Sequence, residues 1–161
     1  MQRGNIFLTL LVLILIAAGA FFVYKLSLNS LPGQILYPLE ESIEELRVTT
    51  TELSPVKRAL IYIEFANTRL DEIETLDKSK KDPVKIVPVI NNFSKNLELS
   101  LDQLKIESAR IEDKSIVFVN LRDIRERQDQ VLSKLLERSP DPPFYEILEI
   151  KEKTNSLLLE Y

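Results

Sequence analysis

Glu40, Glu41, Glu44 and Glu45 form the densest group of carboxylates in the chain. Paired carboxylates can exchange protons with a substrate or hold a hard cation such as Ca²⁺ or Mg²⁺. Here they fall at helix spacing, with no Asp-rich loop, no glycine turn and no neighbouring imidazole. The pattern reads as a solvated face near a helix start, and Asp71, Glu72, Glu74 and Asp77 read the same way. Asn92-Phe93-Ser94 matches a glycosylation acceptor, but Phe93 lies on an apolar stripe and the match reads as chance. Gln128 interrupts an otherwise apolar register. A polar residue there either sets helix register, as in coiled coils, or lines a ligand cavity.

What is missing narrows the chemistry further. The 161 residues include no Cys and no His. That excludes disulfides, Cys/His zinc sites, a Cys nucleophile and every catalytic triad built on imidazole. No phosphate loop, dinucleotide fingerprint or nucleophile elbow is present. Ser, Thr, Lys, Asp, Glu and Tyr remain, but no pair of them has diagnostic spacing. The sequence therefore predicts no enzyme, no metal site and no cofactor. Net charge is -4, which argues against nucleic acid, because phosphate binding needs a concentrated basic surface. The nearest basic run, Lys78-Ser79-Lys80-Lys81, is flanked by Asp77 and Asp82 and reads as a solvated loop.

The elements that must position these residues begin with the strongest signal in the chain. Ile6 to Tyr24 is a run of 19 residues without a charge. As a helix, at about 1.5 Å per residue, it is close to the thickness of a bilayer's hydrocarbon core. Arg3 precedes it, and after Lys25 no basic residue occurs before Arg47. The positive-inside rule then puts the N-terminus in the cytoplasm and the bulk of the chain outside. The predicted organisation is a tail at 1–5, a transmembrane helix at 6–24 that meets the lipid bilayer, a linker at 25–37 and a helical domain at 38–161. Ala18-Gly19-Ala20 also fits a signal-peptidase site, so secretion after cleavage is the alternative. A pilin-like leader is suggested by Gly4 but lacks its Glu, the position being Thr9.

The remainder reads as helix. The three glycines are Gly4, Gly19 and Gly33, so the sequence beyond residue 33 has none of the Gly on which tight hairpins depend. Proline acts as punctuation at helix starts. Leu31-Pro32-Gly33-Gln34 fits a type II turn. One helix is predicted from Pro38 to about Glu52, with Leu39, Ile43, Leu46 and Leu53 as its stripe. Ser54-Pro55 caps a second that runs to about Leu76, with Val56, Leu60, Ile63, Ala66, Leu70 and Ile73 at 3–4 spacing. Asp82-Pro83 repeats the cap signature before Ile86, Ile90, Phe93, Leu97, Leu101, Leu104 and Ile111, and Pro88 should delay or kink that start. Val117, Leu121, Ile124, Val131 and Leu135 make a fourth pattern. The third and fourth form either one helix of about 50 residues or two joined near Glu112-Asp113. Ser139-Pro140-Asp141-Pro142-Pro143 then stops the chain before a last helix with Phe144, Ile147, Leu148, Leu157, Leu158 and Tyr161. The fold class is all-α: one N-terminal transmembrane helix, then a four- or five-helix antiparallel bundle.

Leu31-Pro32-Gly33, Leu36-Tyr37-Pro38-Leu39 and Glu44 resemble the opening of a bacterial family known as domain of unknown function 5667. Ala59, Ala66, Arg69-Leu70 and Glu72 resemble that family's Ala-x-x-Arg-Leu-x-Glu signature, and Arg127-Gln128 through Val131-Leu132 is similar to a later helix in such proteins. The resemblance covers roughly residues 31–77, and departs from the pattern at Glu40, where a Lys is expected. It implies one membrane segment and an extracytoplasmic helical domain, and assigns no catalytic residues. Read physically, the motif is structural: Leu-Pro-Gly and Tyr37-Pro38 stiffen the entry to the first helix after the membrane segment. Arg69 and Glu72 are i,i+3 neighbours, and Arg69 is within reach of Glu44 or Glu45. The functional expectation is an envelope structural module or a binder of other proteins, the partner being open. The rival is a ligand-sensing or regulatory bundle that acts through a membrane partner, since the five residues before the apolar run are too few to signal alone.

Overall fold

The computed structural model describes residues 2–27, 30–31, 34–49, 54–79, 85–106, 111–138 and 144–159. Among them are six helices and no strand: α1 (Gln2–Ser27), α2 (Tyr37–Thr49), α3 (Pro55–Lys78), α4 (Val87–Leu104), α5 (Ile111–Arg138) and α6 (Phe144–Leu159). The chain divides into two compact units, residues 1–45 and 46–161.

In the first unit, α1 is apolar on every side. Its residues from Leu8 to Leu26 are all exposed, and Leu8–Ser27 is long and apolar enough to cross a membrane or serve as a signal sequence. An amphipathic helix would hide one stripe; this one has no polar face to turn outward. The helix is longer at both ends than the uncharged run 6–24, because Lys25 extends it and its ammonium sits over the Phe21 ring, 5.9 Å from the centroid.

In the second unit the predicted periodicities become a core. α3 opens at Ser54, whose Oγ accepts the Lys57 N–H at 3.3 Å, with Pro55 in the first turn. The cap was legible from Ser-Pro because the hydroxyl satisfies a donor the helix cannot, while proline gives up one that has no partner. Ser54→Ala is expected to lower stability by about 1 kcal/mol, read by thermal unfolding, with Ser54→Asp close to wild type. An equal loss in both variants would show that the loss does not come from capping. The Asp82-Pro83 cap falls outside the described residues. α4 instead starts on the Ile86 carbonyl, which accepts the Val89 and Ile90 N–H groups at 3.0 and 3.1 Å. Pro88 lies in that first turn, where it is tolerated.

The third and fourth apolar patterns are two helices. α4 closes at Lys105–Ile106 and α5 begins at Ile111, so that Glu112-Asp113 lies in its first turn. Lys105 and Ile106 donate to the Asp102 and Gln103 carbonyls at 3.3 and 3.4 Å. These tightened i→i+3 bonds close α4 without glycine. The five proline-rich residues 139–143 lie outside the described residues.

Among the described residues, α3 packs against α4 and α5, and α6 packs against α5 and α4. Side-chain pairs give the directions. Arg127 of α5 meets Asp71 and Glu74 of α3, and further along Arg138 meets Asp77, so α3 and α5 run parallel. Gln128 meets Thr154 while Ser133 meets Lys151, so α5 and α6 run antiparallel. The buried seams repeat at alternating 4- and 3-residue steps: 86, 90, 93, 97, 100, 104 on α4 and 117, 121, 124, 128, 131, 135 on α5. That is the spacing of coiled-coil packing at shallow crossing angles.

The stripe predicted for α2 is corrected. Leu39 and Leu46 are exposed, Leu46 by 58%, and the buried apolar residue of this helix is Val48. Leu53 lies outside the described residues. α2 is short, and the part of it in the second unit docks through charge. Arg47 donates to both oxygens of Glu64 at 2.8 Å and stacks 5.8 Å from the Phe65 ring centroid.

Candidate functional site

The polar residues singled out by sequence fall into four places, and each has a local cause. The first lies in the first unit, where α1 ends. The Ser27 hydroxyl donates to the Tyr24 carbonyl at 2.8 Å, returning to its own helix as serine does near helix ends. The Ser30 hydroxyl lies 2.8 Å from the Ser27 carbonyl and 3.1 Å from Glu40 Oε2, two acceptors around one donor. Leu31 and Gln34 close the turn: the Gln34 N–H donates to the Leu31 carbonyl at 2.9 Å, and Gln34 Oε1 accepts the Leu31 N–H at 3.0 Å. Pro32 and Gly33, the predicted centre of this turn, are outside the described residues. Leu31, Leu36 and Tyr37 are half-buried, and Pro38 and Leu39 are exposed. Glu40 corrects the reading of a wholly solvated carboxylate face: it is buried, because it supplies an acceptor to Ser30. Glu41 and Glu45 are exposed and Glu44 is half-buried. No group of three or more acidic side chains is placed to hold a metal ion among the described residues.

The second place is the pair Arg69 and Glu72 on α3. The helix brings them together one turn apart, and Arg69 Nη1 donates to Glu72 Oε1. Arg69 is 1% exposed and Glu72 6%. Burying an ion pair is costly, so it persists only when each charge is met. Ala66 and Leu70 beside it are fully buried, consistent with close helix packing around the pair. Glu72 thus leaves the solvated acidic face predicted for it. Glu44 and Glu45, the other partners considered for Arg69, belong to the first unit.

The third place is a clasp between α3 and α5. Arg127 Nη2 meets Asp71 Oδ1 and, at 3.4 Å, Glu74 Oε1, while Nη1 lies 3.4 Å from Asn67 Oδ1. Arg138 closes the far end on Asp77 at 2.6 Å. Burial works against the Arg127 charge, but hydrogen bonds to Asp71 and Glu74 and their charges outweigh it and raise its pKa. A cation whose pKa is raised by folding contributes stability at every pH below arginine's ordinary range, and loses it only in strong alkali. The acidic row 71–74–77 is therefore a docking face. Sequence alone concealed this because its basic partners lie more than fifty residues away. Arg127→Met is expected to cost about 1 kcal/mol, within the range for partly exposed pairs, and the loss should shrink in high salt. A salt-independent loss would assign the effect to packing of the arginine stem.

The fourth place joins α5 to α6. Gln128 sits at an apolar seam position of α5 and is 0% exposed, as its register predicted. Its Nε2 donates to Thr154 Oγ1 at 2.6 Å and lies 3.3 Å from Asn155 Oδ1. Thr154 is free to accept because its own hydroxyl donates to the Ile150 carbonyl at 2.9 Å. Around this pair, Asn155 Nδ2 reaches Asp129 at 3.4 Å, Lys151 Nζ reaches Ser133 at 2.8 Å, and Lys153 meets Glu98 of α4. Gln128 Oε1 has no hydrogen-bond partner among the described residues, nor does Ser100 Oγ in the α4 seam. Sequence reasoning missed Thr154 and Ser100. Their signal was there: each occupies a position where the 3–4 repeat calls for an aliphatic residue.

A family model, Domain of unknown function (DUF5667), matches residues 29–142. No curated protein and no solved structure matches the chain. The matched stretch takes in α2 to α5 and ends before α6.

Proposed function

Because the chain belongs to the DUF5667 family, we propose that it is a single-pass membrane protein whose helical bundle works outside the cytoplasm as an envelope structural or protein-interaction module. One observation carries the reading: α1 presents apolar side chains on every side from Leu8 to Leu26. Such a surface is stable in lipid, where the helix satisfies its own backbone, and unstable in water. The distribution of basic residues supports the direction, with Arg3 before the helix and no basic residue between Lys25 and Arg47. The role is non-catalytic. Its support is that arginines and carboxylates are engaged with one another, Arg69 with Glu72 within α3, and Arg127 and Arg138 of α5 with Asp71 and Asp77 of α3.

The test is protease treatment of spheroplasts followed by mass spectrometry of the protected fragments. The expected result is digestion of residues beyond about 30 and protection of α1. A bundle that resists while an external control is cut overturns the orientation. A mature N-terminus near Phe21, after Ala18-Gly19-Ala20, establishes the secreted alternative.

A further inference from the structure

We propose that the start of α2 lies in the surface of the bilayer, with Ile35, Leu39 and Ile43 sunk into the headgroup boundary, so that the chain meets lipid twice, once across the membrane and once along it. The proposal rests on the reading of α1 as an anchor and adds a second lipid contact beside it.

The observation is an apolar stripe left in the open. Leu39, Ile43 and Leu46 fall at i, i+4 and i+7, on one face of α2. Leu39 and Leu46 are exposed, Ile43 is half-buried, and Ile35, in the turn before the helix, is 97% exposed. The sequence marks α2 with a core stripe, and the fold leaves that stripe out of the core. Glu41 and Glu45, on the opposite face, are exposed as well. A helix with one aliphatic face and one carboxylate face suits a boundary between hydrocarbon and water. The carboxylates set its roll, because burying a charge is far more costly than wetting a leucine.

Two features select lipid as the occupant. The first is position. The Ser30 hydroxyl lies 2.8 Å from the carbonyl of Ser27, the last residue of α1, and 3.1 Å from Glu40 Oε2, in the first turn of α2. Ser27, Ser30 and Glu40 are all buried, so the start of α2 is held beside the end of α1. A chain that leaves the bilayer at Ser27 therefore begins α2 at the level of the headgroups. Tyr24 in the last turn of α1 and Tyr37 at the head of α2 flank that level, where tyrosine is favoured. The second feature is the chemistry of the face. Ser42 neighbours Leu39 and Leu46 on the helix surface, and its hydroxyl donates to the Pro38 carbonyl of its own helix at 2.9 Å. The aliphatic stripe thus offers apolar area without a directional bond by which a protein partner would be chosen. Lipid needs none, because apolar burial is non-directional.

The chain contains no tryptophan, so one introduced indole reports one position. Phe22→Trp, Ile35→Trp, Leu39→Trp and Glu41→Trp are made singly in the full-length chain. All four side chains are exposed, so the folded core is not disturbed. Each variant is reconstituted in phosphatidylcholine vesicles with and without bromine in the upper part of the acyl chains. Ile35→Trp and Leu39→Trp are expected to lose about half or more of their emission to the brominated lipid, as residues sunk roughly 5–10 Å into the boundary should. Phe22→Trp should be quenched as well, and Glu41→Trp should stay bright. Quenching of Phe22→Trp without quenching at positions 35 and 39 overturns the surface contact and leaves the anchor standing. Equal quenching of Glu41→Trp and Leu39→Trp overturns it too, because the stripe then has no preference for lipid. Blue-shifted emission from Leu39→Trp that bromine does not touch shows that protein covers the stripe, from a second copy or another chain, and likewise overturns it. An unquenched Phe22→Trp overturns the anchor and the surface contact together.

Discussion

Replacing Glu72 by Leu is expected to lower the unfolding free energy by on the order of 3–5 kcal/mol, as breaking a buried ion pair from one side does. Arg69 is 1% exposed, and arginine cannot shed its proton to escape burial. The variant therefore takes a carboxylate away from a guanidinium buried inside α3's packing surface, next to the fully buried Ala66 and Leu70. Adding Arg69→Met to Glu72→Leu should return most of the loss, because two well-packed apolar groups can match or exceed a buried pair. In thermal unfolding the single variant should fall by roughly 10–20 °C, given a few degrees per kcal/mol at this size. The double variant should return to near wild type. If the double variant is as unstable as the single one, mutual compensation is not what the pair does, and a binding role for Arg69 becomes the better reading. The measurement thus separates the structural account of the family motif from the functional one.

How much of this was readable beforehand follows from where the information lies. Helix content, the Ser54 cap and the buried faces of α3, α4 and α5 were legible because they are local. A 3–4 repeat, a hydroxyl before a proline and an absence of glycine act over a few residues and need no partner to be interpreted. Gln128 was legible for the same reason: a polar residue in an apolar register is conspicuous from its own helix. What could not be read depends on a second element. Asp71 and Glu74 look like a solvated face until Arg127 arrives from α5. Glu40 looks exposed until Ser30 turns back onto it. The stripe drawn on α2 failed at Leu39 and Leu46 because a few aliphatic residues at helical spacing on so short a helix are a weak signal. The arginine–carboxylate and arginine–ring contacts of Arg47, which pattern does not reveal, hold the end of α2 that lies in the second unit. Whether the third and fourth patterns were one helix or two stayed open in the sequence because a helix can end on tightened i→i+3 bonds with ordinary residues, leaving no mark in composition.

The same comparison of magnitudes decides how α1 can be tested. Between Leu8 and Leu26 it carries 12 Leu, Ile, Val and Phe residues. At about -0.3 to -0.6 kcal/mol each, these favour insertion by roughly 4–7 kcal/mol. One arginine near the middle costs about 2.5–3.5 kcal/mol, so Ala18→Arg alone should leave the chain in the membrane. Ile14→Arg with Ala18→Arg places two charges on one face, four residues apart, and costs about 5–7 kcal/mol. That matches or exceeds the whole driving force. The proposed anchor therefore predicts a threshold: wild type and the single variant resist alkaline carbonate extraction, and the double variant is released. A graded loss that is already large with one arginine would mean the helix is not held by spanning the bilayer. Release of the wild type as a chain beginning near Phe21 would mean that the segment is a signal sequence, removed once the bundle has crossed.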